Sequence, residues 1–300
     1  MTFTNLFGAP PLELVDFAPD SRQFSPLSPG GEDLTALSPG VLDNLAMLAP
    51  PGAIERRRAL ALALRALAPG APFLVMAPKD KGGGRLAGEL EELGCPSESS
   101  AKRHHRICAA AATGDSAAIE AAIHAGAPRF SESLGLWTQP GVFSWDRIDP
   151  GSALLMRHLP EFSGRGADFG CGIGLIAHRL LASPRIKSLL MVDIDRRAIE
   201  LSARNVDDPR VAILWGDVRG LSIRPFDFIA MNPPFHEAGR ETKELGRGFI
   251  ASAAANLRPG GQCWLVANRH LPYEAALDQK FSSVAPIAAE GGYKVIEAIK

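Results

Sequence analysis

A glycine-rich segment in the second half of the chain is the clearest place for backbone to meet a ligand. It reads Asp168-Phe169-Gly170-Cys171-Gly172-Ile173-Gly174, follows a short apolar run and precedes a helix-forming stretch. Glycine lets the backbone adopt positive φ and approach a ligand closely, and a helix N-terminus adds partial positive charge. A dinucleotide-binding loop would have its third glycine at position 175, where Leu175 stands instead. The segment therefore predicts a ligand loop of another kind, with a plain glycine-rich turn as the alternative.

Two aspartates follow at the ends of the next two apolar runs. Asp193 lies 21 residues after Gly172, which is the spacing expected of a carboxylate that binds the ribose of a nucleoside-type cofactor. A carboxylate accepts hydrogen bonds from both ribose hydroxyls. Asp195 is better placed than Asp193 to cap the helix that follows. Asp217 ends the third run, where either a ligand contact or a simple turn explains an aspartate.

The fourth apolar run ends in Asn232-Pro233-Pro234-Phe235-His236, a segment that could hold a reacting amine. Two prolines fix the backbone directly after a strand. The Asn232 side chain and the Pro233 carbonyl could both accept from one exocyclic NH2 group, which would orient the nitrogen lone pair towards a methyl donor. Phe235 offers a flat face on which a base can stack. The alternative is a rigid loop with a buried phenylalanine, and His236 is more simply structural than catalytic.

Together these residues resemble the class I methyltransferases that use S-adenosylmethionine to methylate amino groups. The resemblance extends to residues 140–144, 149–152 and 291–295. It is closest to the ribosomal RNA guanine-N2 methyltransferases of the RsmC and RlmG type, over 138–300 and more loosely over 41–108. That family has two methyltransferase-like domains, of which the first is degenerate and the second catalytic.

The resemblance implies transfer of a methyl group from S-adenosylmethionine to the exocyclic N2 of a guanine in ribosomal RNA, most simply 16S RNA. It implies catalytic roles for Asn232, Pro233, Pro234 and Phe235. It implies cofactor contacts from Asp168, Gly170, Cys171, Gly172, Gly174, Asp193, Asp217 and Asn232. Methylation of a protein glutamine or of adenine N6 is an alternative, because the same Asn-Pro-Pro-aromatic motif serves those reactions. A non-catalytic RNA-binding protein on the same fold is another.

Alternating strands and helices must position these residues. Short apolar runs predict strands over 166–169, 188–192, 211–215, 227–231 and 262–267, with helices over 175–182, 196–205 and 245–257. This alternation predicts an α/β protein with the Rossmann-like class I methyltransferase fold and a doubly wound, mostly parallel sheet. Ligands of such sheets lie at the carboxyl ends of the strands.

The first half of the chain carries a fainter version of the same pattern. It predicts strands over 12–17, 44–49 and 73–77, and helices over 54–67, 85–93 and 116–124. Residues 46–51 and 73–77 parallel residues 230–235 and 264–267 in register. We therefore expect a degenerate copy of the fold over 1–128, followed by a catalytic domain over 129–300. The first copy lacks the asparagine, the aromatic residue and the glycine loop, so we expect it to recognise RNA rather than to catalyse.

Composition limits the partners. The 300 residues have a formal net charge of −1 and a mean hydropathy of +0.03, so RNA must be held by a local basic patch rather than by the whole surface. The best candidates are Lys79, Lys81, Lys102, Arg103 and Arg106, with a solvated face as the alternative, and the run 56–58 is expected to be solvated. The four cysteines form no CxxC pair, and neither a spanning segment nor a leader is visible. We expect a cytoplasmic monomer with no metal and no membrane partner.

Overall fold

The computed structural model describes residues 1–223, 225–234, 236–237, 240–241 and 243–300, with side chains described outside 236, 237, 240, 241 and 243. The chain divides into two compact units. The first consists of Met1–Pro128 with Gln139–Gly141, and the second of Arg129–Thr138 with Val142–Lys300. Each unit contains its own large, mostly parallel sheet.

The first unit is a six-stranded sheet with three helices. Its elements are β1 (Thr2–Phe7), β2 (Asp16–Gln23), β3 (Leu45–Leu48), α1 (Ala53–Ala66), β4 (Pro72–Pro78), α2 (Leu86–Glu92), β5 (Glu98–Lys102), β6 (His105–Ala111) and α3 (Ser116–Ala125). The strand order is β2-β1-β3-β4-β6-β5. Strands β1 to β4 run parallel, and β6 with β5 forms an antiparallel hairpin at one edge.

The second unit is a seven-stranded sheet with five helices and two small ribbons among its described residues. Its elements are β7 (Arg129–Ser131), β8 (Leu136–Thr138), α4 (Pro150–His158), β9 (Gly164–Phe169), α5 (Leu175–Leu181), β10 (Ile186–Asp193), α6 (Arg196–Asn205), β11 (Val211–Trp215), β12 (Phe226–Met231), β13 (His236–Glu237), β14 (Arg240–Glu241), α7 (Lys243–Asn256), β15 (Leu257–Asn268), α8 (Glu274–Asp278), β16 (Ser283–Glu290) and β17 (Tyr293–Ile299). The order of the large sheet is β11-β10-β9-β12-β15-β17-β16. The neighbouring strands β11, β10, β9, β12 and β15 are parallel, and β17 and β16 are antiparallel to their neighbours.

Apolar side chains on both faces of the large sheet hold the second unit together. Alternate residues of β12 enter different clusters: Ile229 packs on one face with residues of α7, and Phe228 packs on the other with residues of α4 and α5. Burial on both faces explains why β12 is apolar at every residue except Asp227. In the described residues no helix is long and apolar enough to cross a membrane.

The two large sheets share one topology. Strands β1, β3, β4, β6 and β5 of the first sheet follow the same order and directions as β9, β12, β15, β17 and β16 of the second, and β2 takes the place of β10. The segment Pro50-Pro51 follows β3, and Pro233-Pro234 follows the equivalent β12. The doubly wound fold with a preceding degenerate copy is therefore confirmed.

Two details of the first half were predicted wrongly. The strand expected at 12–17 begins only at Asp16, because the prolines at 10 and 11 favour a turn, which the Leu14 N–H closes onto the Pro11 carbonyl at 2.9 Å. The run 56–58 is not a solvated face, because Arg56 is 1% exposed. Its Nε and Nη2 donate to the two carboxylate oxygens of Glu89 at 2.6 and 2.7 Å.

Candidate active site

The parallel strands bring four sequence motifs to one edge of the second sheet. The chain runs from β9 outward to β10 and β11, and returns to place β12 on the other side of β9. The glycine loop, Asp193, Asp217 and Asn232 follow the carboxyl ends of these four strands. The order reverses between β9 and β12, which is where doubly wound sheets bind ligands.

The glycine loop is tied to its own scaffold. The N–H groups of Gly170 and Cys171 donate to the Val192 carbonyl at 2.8 and 3.0 Å, and the Gly174 N–H donates to the Cys171 carbonyl at 2.9 Å. The Gly172 N–H donates to Asp193 Oδ2 at 2.8 Å. A phosphate-binding loop needs free N–H groups aimed at the ligand. Because these four are already bonded, the loop is unsuited to cradle a pyrophosphate, in agreement with the leucine at position 175.

The glycines of this loop serve different purposes. Gly170, Gly172 and Gly174 have φ of +75°, +53° and +94°, values that side chains rarely adopt. A Cβ on Gly174 would lie 2.8 Å from Val206 Cγ2, so this position needs glycine for packing. A Cβ on Gly172 would meet nothing within 4 Å. Gly172 therefore leaves open space in front of the loop.

Two carboxyl groups lie beside the loop in a desolvated setting. Asp193 accepts the Gly172 N–H on one oxygen and the Asp195 N–H on the other, at 2.8 and 2.9 Å. Burial raises its pKa to about 6, although those hydrogen bonds oppose the rise. Asp168 is fully buried, and neither of its oxygens has a hydrogen-bond partner among the described residues. Burial, reinforced by Asp193 and opposed by the backbone of Ala177, raises the pKa of Asp168 to about 8.

The remaining cofactor candidates have more local partners. Cys171 is buried, and desolvation together with Asp193 and Asp168 raises the pKa of its thiol well above the usual value. Asp217 accepts the Arg219 N–H at 2.8 Å and pairs with the Arg219 guanidinium at 2.7 Å. This ion pair lowers the pKa of Asp217. The side chain thus caps a short 3-10 turn at the end of β11, as an ordinary turn aspartate does.

Asn232 is held in a defined orientation by residues far away in the sequence. Its Nδ2 donates to Asp149 Oδ2 at 3.1 Å and to Ser152 Oγ at 2.8 Å. Asp149 is also the N-cap of α4, accepting the Ser152 N–H at 2.7 Å, and the Tyr293 hydroxyl lies 3.5 Å from its other oxygen. Since a carboxylate only accepts, the Asn232 nitrogen must face Asp149. The amide oxygen of Asn232 is then the group left for a ligand amine.

A cleft joins this asparagine to the glycine loop. Its lining residues are Phe143, Ser144, Ser152, Gly170, Cys171, Gly172, Ile173, Leu175, Ile176 and Asn232. Sequence reasoning did not select Phe143, Ser144, Ser152 or Asp149 as site residues, although they lie in segments that carried the family resemblance. A readable signal was the Asp-Pro pair at 149–150, which is a typical helix start. Pro233 is buried and Pro234 exposed, whereas Phe235 lies outside the described residues.

The basic candidates of the first unit lie around the β5–β6 hairpin. Arg103 and His104 form its turn at φ of 46° and 60°, and the Lys79 N–H donates to the His104 carbonyl at 2.9 Å. Lys102 pairs with His105 and Ala101 with Arg106, so Lys102 and Arg106 point to opposite faces of the sheet. Lys79 and Arg103 are exposed, and Lys81 is half-buried. The basic candidates thus lie in or near the hairpin, but Lys102 and Arg106 do not share one face of the sheet.

The fold and the site define a class of protein. A doubly wound sheet with a tied-back glycine loop, a buried aspartate after the next strand and an asparagine followed by two prolines is the arrangement of a class I methyltransferase. The whole chain superposes on the T. thermophilus 16S rRNA N2 G1207 methyltransferase RsmC, solved in complex with AdoMet and guanosine. The TM-score is 0.76 at 23% identity, and the match covers 99% of this chain and 87% of that one.

The chain belongs to the methyltransferase small domain family, whose model matches residues 133–297. Two relatives are named ribosomal RNA small subunit methyltransferase C. The protein of Shewanella sediminis is 41% identical over 162 residues, and that of Idiomarina loihiensis is 37% identical over 164 residues. These matches cover 52% and 54% of this chain, and 46% and 48% of the relatives. The chain thus spans about half the length of the curated relatives it matches, and the family resemblance drawn from the motifs is confirmed.

Proposed function

We propose that the protein transfers a methyl group from S-adenosylmethionine to the exocyclic N2 of a guanine in 16S ribosomal RNA, in the cytoplasm. The observation that carries the proposal is the fixed amide of Asn232, which presents an acceptor oxygen next to a loop built for a nucleoside cofactor. The names of the relatives, and of the T. thermophilus enzyme solved with guanosine, support guanine in small-subunit RNA as the substrate.

The residues beside the glycine loop fit the cofactor. A Cβ at Gly172 would meet nothing within 4 Å, so the loop leaves room for an approaching ligand atom, and Asp193 retains lone pairs for the ribose hydroxyls after accepting two backbone N–H groups. Asp168 is a buried carboxyl without a partner among the described residues, and a cationic ligand would favour its ionised form. When bound, S-adenosylmethionine supplies an electrophilic methyl group on sulfur.

Asn232 and Pro233 act on the amine that receives this methyl group. The guanine N2 lone pair is delocalised into the ring, so the amine is a weak nucleophile. The Asn232 amide oxygen and the Pro233 carbonyl each accept one N2 hydrogen, which turns the lone pair out of the ring plane and towards the methyl group. With the amine so held, an N2–methyl bond would form as the carbon–sulfur bond breaks, S-adenosylhomocysteine would leave, and the methylated nitrogen would release its proton to solvent water. Alignment of this kind can supply up to about 7–11 kcal/mol of the barrier.

Two further roles belong to the proposal. We assign stacking of the target base to Phe235, since the base must leave any helix to reach the cleft. We assign RNA contacts to Lys79, Lys81, Arg103 and Arg106 of the first unit. Lys102 points to the face of the hairpin opposite to that of Arg106. Each phosphate neutralised in duplex-like RNA adds about 0.9 to the slope of log affinity against log salt.

The test is methylation of small ribosomal subunits and of free 16S RNA with labelled S-adenosylmethionine, followed by nucleoside mass spectrometry. Wild-type protein should form N2-methylguanosine. Asn232→Ala should lower turnover by at least about 100-fold, the scale of a misplaced reacting group. Its affinity for S-adenosylhomocysteine, measured by calorimetry, should stay close to wild type because Asn232 contacts the amine.

The other outcomes separate the alternatives. Label in N6-methyladenosine or in a methylated glutamine would replace guanine as the substrate. RNA binding without any methyl transfer, in protein that binds the cofactor, would favour a non-catalytic role. Asn232→Ala with normal turnover would remove this residue from the reaction.

A further inference from the structure

Exposed aromatic side chains concentrate in one short segment of the second unit. Phe130, Trp137 and Phe143 are 47%, 37% and 54% exposed, and among the described residues no other phenylalanine, tryptophan or tyrosine is exposed to the same extent. Aromatic side chains are ordinarily buried because they remove much apolar area from water. Three exposed ones within 130–143 therefore indicate a surface that contacts something.

Two of these rings form a pair with an arginine beside them. Phe130 and Trp137 are directly opposite on the β7–β8 hairpin, with ring centroids 6.2 Å apart and the planes inclined at 73°. The Arg204 guanidinium lies 5.2 Å from the centroid of the Trp137 ring. We call Phe130, Trp137 and Arg204 the stacking surface. It combines flat apolar faces with a cation, which are the features that bind unpaired nucleotides.

The stacking surface is fixed relative to the glycine loop. The Trp137 N–H donates to Asn205 Oδ1 at 2.8 Å, and Asn205 Nδ2 donates to the Trp137 carbonyl at 2.9 Å. The same Nδ2 donates to the carbonyl of Ile173, within the loop, at 2.9 Å. Phe143, the third exposed ring, lines the cleft that contains Asn232. The stacking surface and the cleft are thus linked through Ile173, which accepts from Asn205 and lines the cleft.

We propose that the stacking surface binds unpaired RNA nucleotides that flank the target base. The proposal rests on the proposed function for the identity of the RNA. A base that enters the cleft must leave its stack, so its neighbours lose a stacking partner. Phe130 and Trp137 offer those neighbours a replacement face, and Arg204 supplies a cation for a phosphate or a base plane. Binding of a protein partner or of a second copy is an outcome of the test.

The experiment measures binding of a single-stranded oligouridine, of about ten nucleotides, to the full chain by fluorescence anisotropy. Trp137→Ala should weaken binding about 5- to 100-fold, the effect of losing one stacked base. Trp137→Phe should keep most of the affinity, because a ring remains. Ile287→Ala is the matched control, since Ile287 is also exposed by 37% but lies on β16. Unchanged affinity for S-adenosylhomocysteine shows that each variant is folded.

Two further readouts identify stacking. Trp137→Ala should leave the salt slope unchanged, whereas Arg204→Gln should lower it by about 0.7, the value for one phosphate contact on a single strand. Tryptophan fluorescence of the wild type should be quenched by the oligonucleotide. Trp137→Phe should abolish most of that quenching while binding persists.

The outcomes separate this proposal from the proposed function. If Trp137→Ala binds oligouridine like wild type, the stacking surface is refuted even where N2-methylguanosine forms. If the variant loses oligonucleotide affinity but wild-type protein forms no N2-methylguanosine, the stacking surface stands and the proposed function falls. A change of sedimentation in Trp137→Ala without any change in RNA affinity would assign the surface to a second copy and overturn the proposal.

Discussion

Asp149 offers the sharpest test of how the site directs its asparagine. Asp149 does not follow any strand of the sheet edge, yet its Oδ2 accepts both the Ser152 N–H at 2.7 Å and the Asn232 Nδ2 at 3.1 Å. Removal of this acceptor in Asp149→Ala leaves the Asn232 amide with Ser152 Oγ at 2.8 Å. Asn232 can then rotate about its terminal torsion, which is broad for amides.

The hydrogen-bond distances set the expected size of the effect. A hydrogen bond to a charged group is worth about 1.5–3 kcal/mol, which is about a 10- to 150-fold preference for the observed amide orientation. We therefore expect Asp149→Ala to lower kcat by about 10- to 100-fold. Loss of the N-cap of α4 should also cost about 0.5–2 kcal/mol of stability. Asp149→Asn keeps an acceptor oxygen, so it should stay within about tenfold of wild type.

The assay is single-turnover methylation at saturating cofactor, together with calorimetric titration of S-adenosylhomocysteine. Cofactor affinity should be unchanged in both Asp149 variants, since Asp149 contacts Asn232 and α4 rather than the glycine loop. Asp146→Ala is the control, because Asp146 is exposed and its ion partner is Arg147, at 3.5 Å. Wild-type kcat in Asp149→Ala, or equal losses in the Ala and Asn variants, would refute the orientation argument.

Three further predictions concern the cofactor loop and the first unit. Affinity for S-adenosylmethionine should rise between about pH 6 and pH 8. Burial raises the pKa of Asp193 to about 6 and that of Asp168 to about 8, and a bound cation favours the ionised form of each. Calorimetry should show proton release on binding in this range, and Asp168→Asn should flatten the rise of affinity near pH 8. Gly172→Ala should still fold, with only the strain of its positive φ, and should lose the cofactor because its methyl group enters open space. Gly174→Ala adds to the same kind of strain a Cβ 2.8 Å from Val206 Cγ2, so it should lower the melting temperature more. Normal cofactor affinity in Gly172→Ala would contradict this prediction. Glu89→Gln removes the negative charge that pairs with the buried Arg56 guanidinium. It should lower the free energy of unfolding, measured with denaturant, by about 3–5 kcal/mol and leave cofactor affinity unchanged.

The parallel core could be predicted from the sequence because burial on two faces leaves a strong apolar signal. The predicted strands at 211–215 and 227–231 match β11 and all but the first residue of β12. The antiparallel edge strands β5 and β16 were missed because they are polar or alanine-rich. All five residues of β5 are exposed, and β16 alternates only weakly. An exposed edge strand is held by its backbone pairing, which composition does not reveal.

The candidate site was predictable where it follows the strand ends, and not where distant elements meet. The glycine loop, Asp193 and Asn232 each follow a readable strand, so one edge of a parallel sheet had to collect them. Asp149 lies 83 residues before Asn232, and the sequence shows no periodicity that links them. Lys102 and Arg106 lie on opposite faces because of the register of the hairpin. A shift of that register by one residue would move side chains to the other face.

The two copies differ at the ends of the equivalent strands β12 and β3. After β12, Asn232 lines a cleft and the adjoining loop leaves open space at Gly172. After the equivalent β3, the Arg56 guanidinium donates from Nη1 to the Pro50 carbonyl at 3.3 Å and to the Pro51 carbonyl at 2.8 Å. A Cβ on Gly82 would lie 2.1 Å from that nitrogen, so the loop after β4 packs directly on the guanidinium. In the second copy we expect the Pro233 carbonyl to accept from a substrate amine. The equivalent Pro50 carbonyl of the first copy accepts from the Arg56 guanidinium at 3.3 Å, and the buried ion pair with Glu89 holds that guanidinium in place.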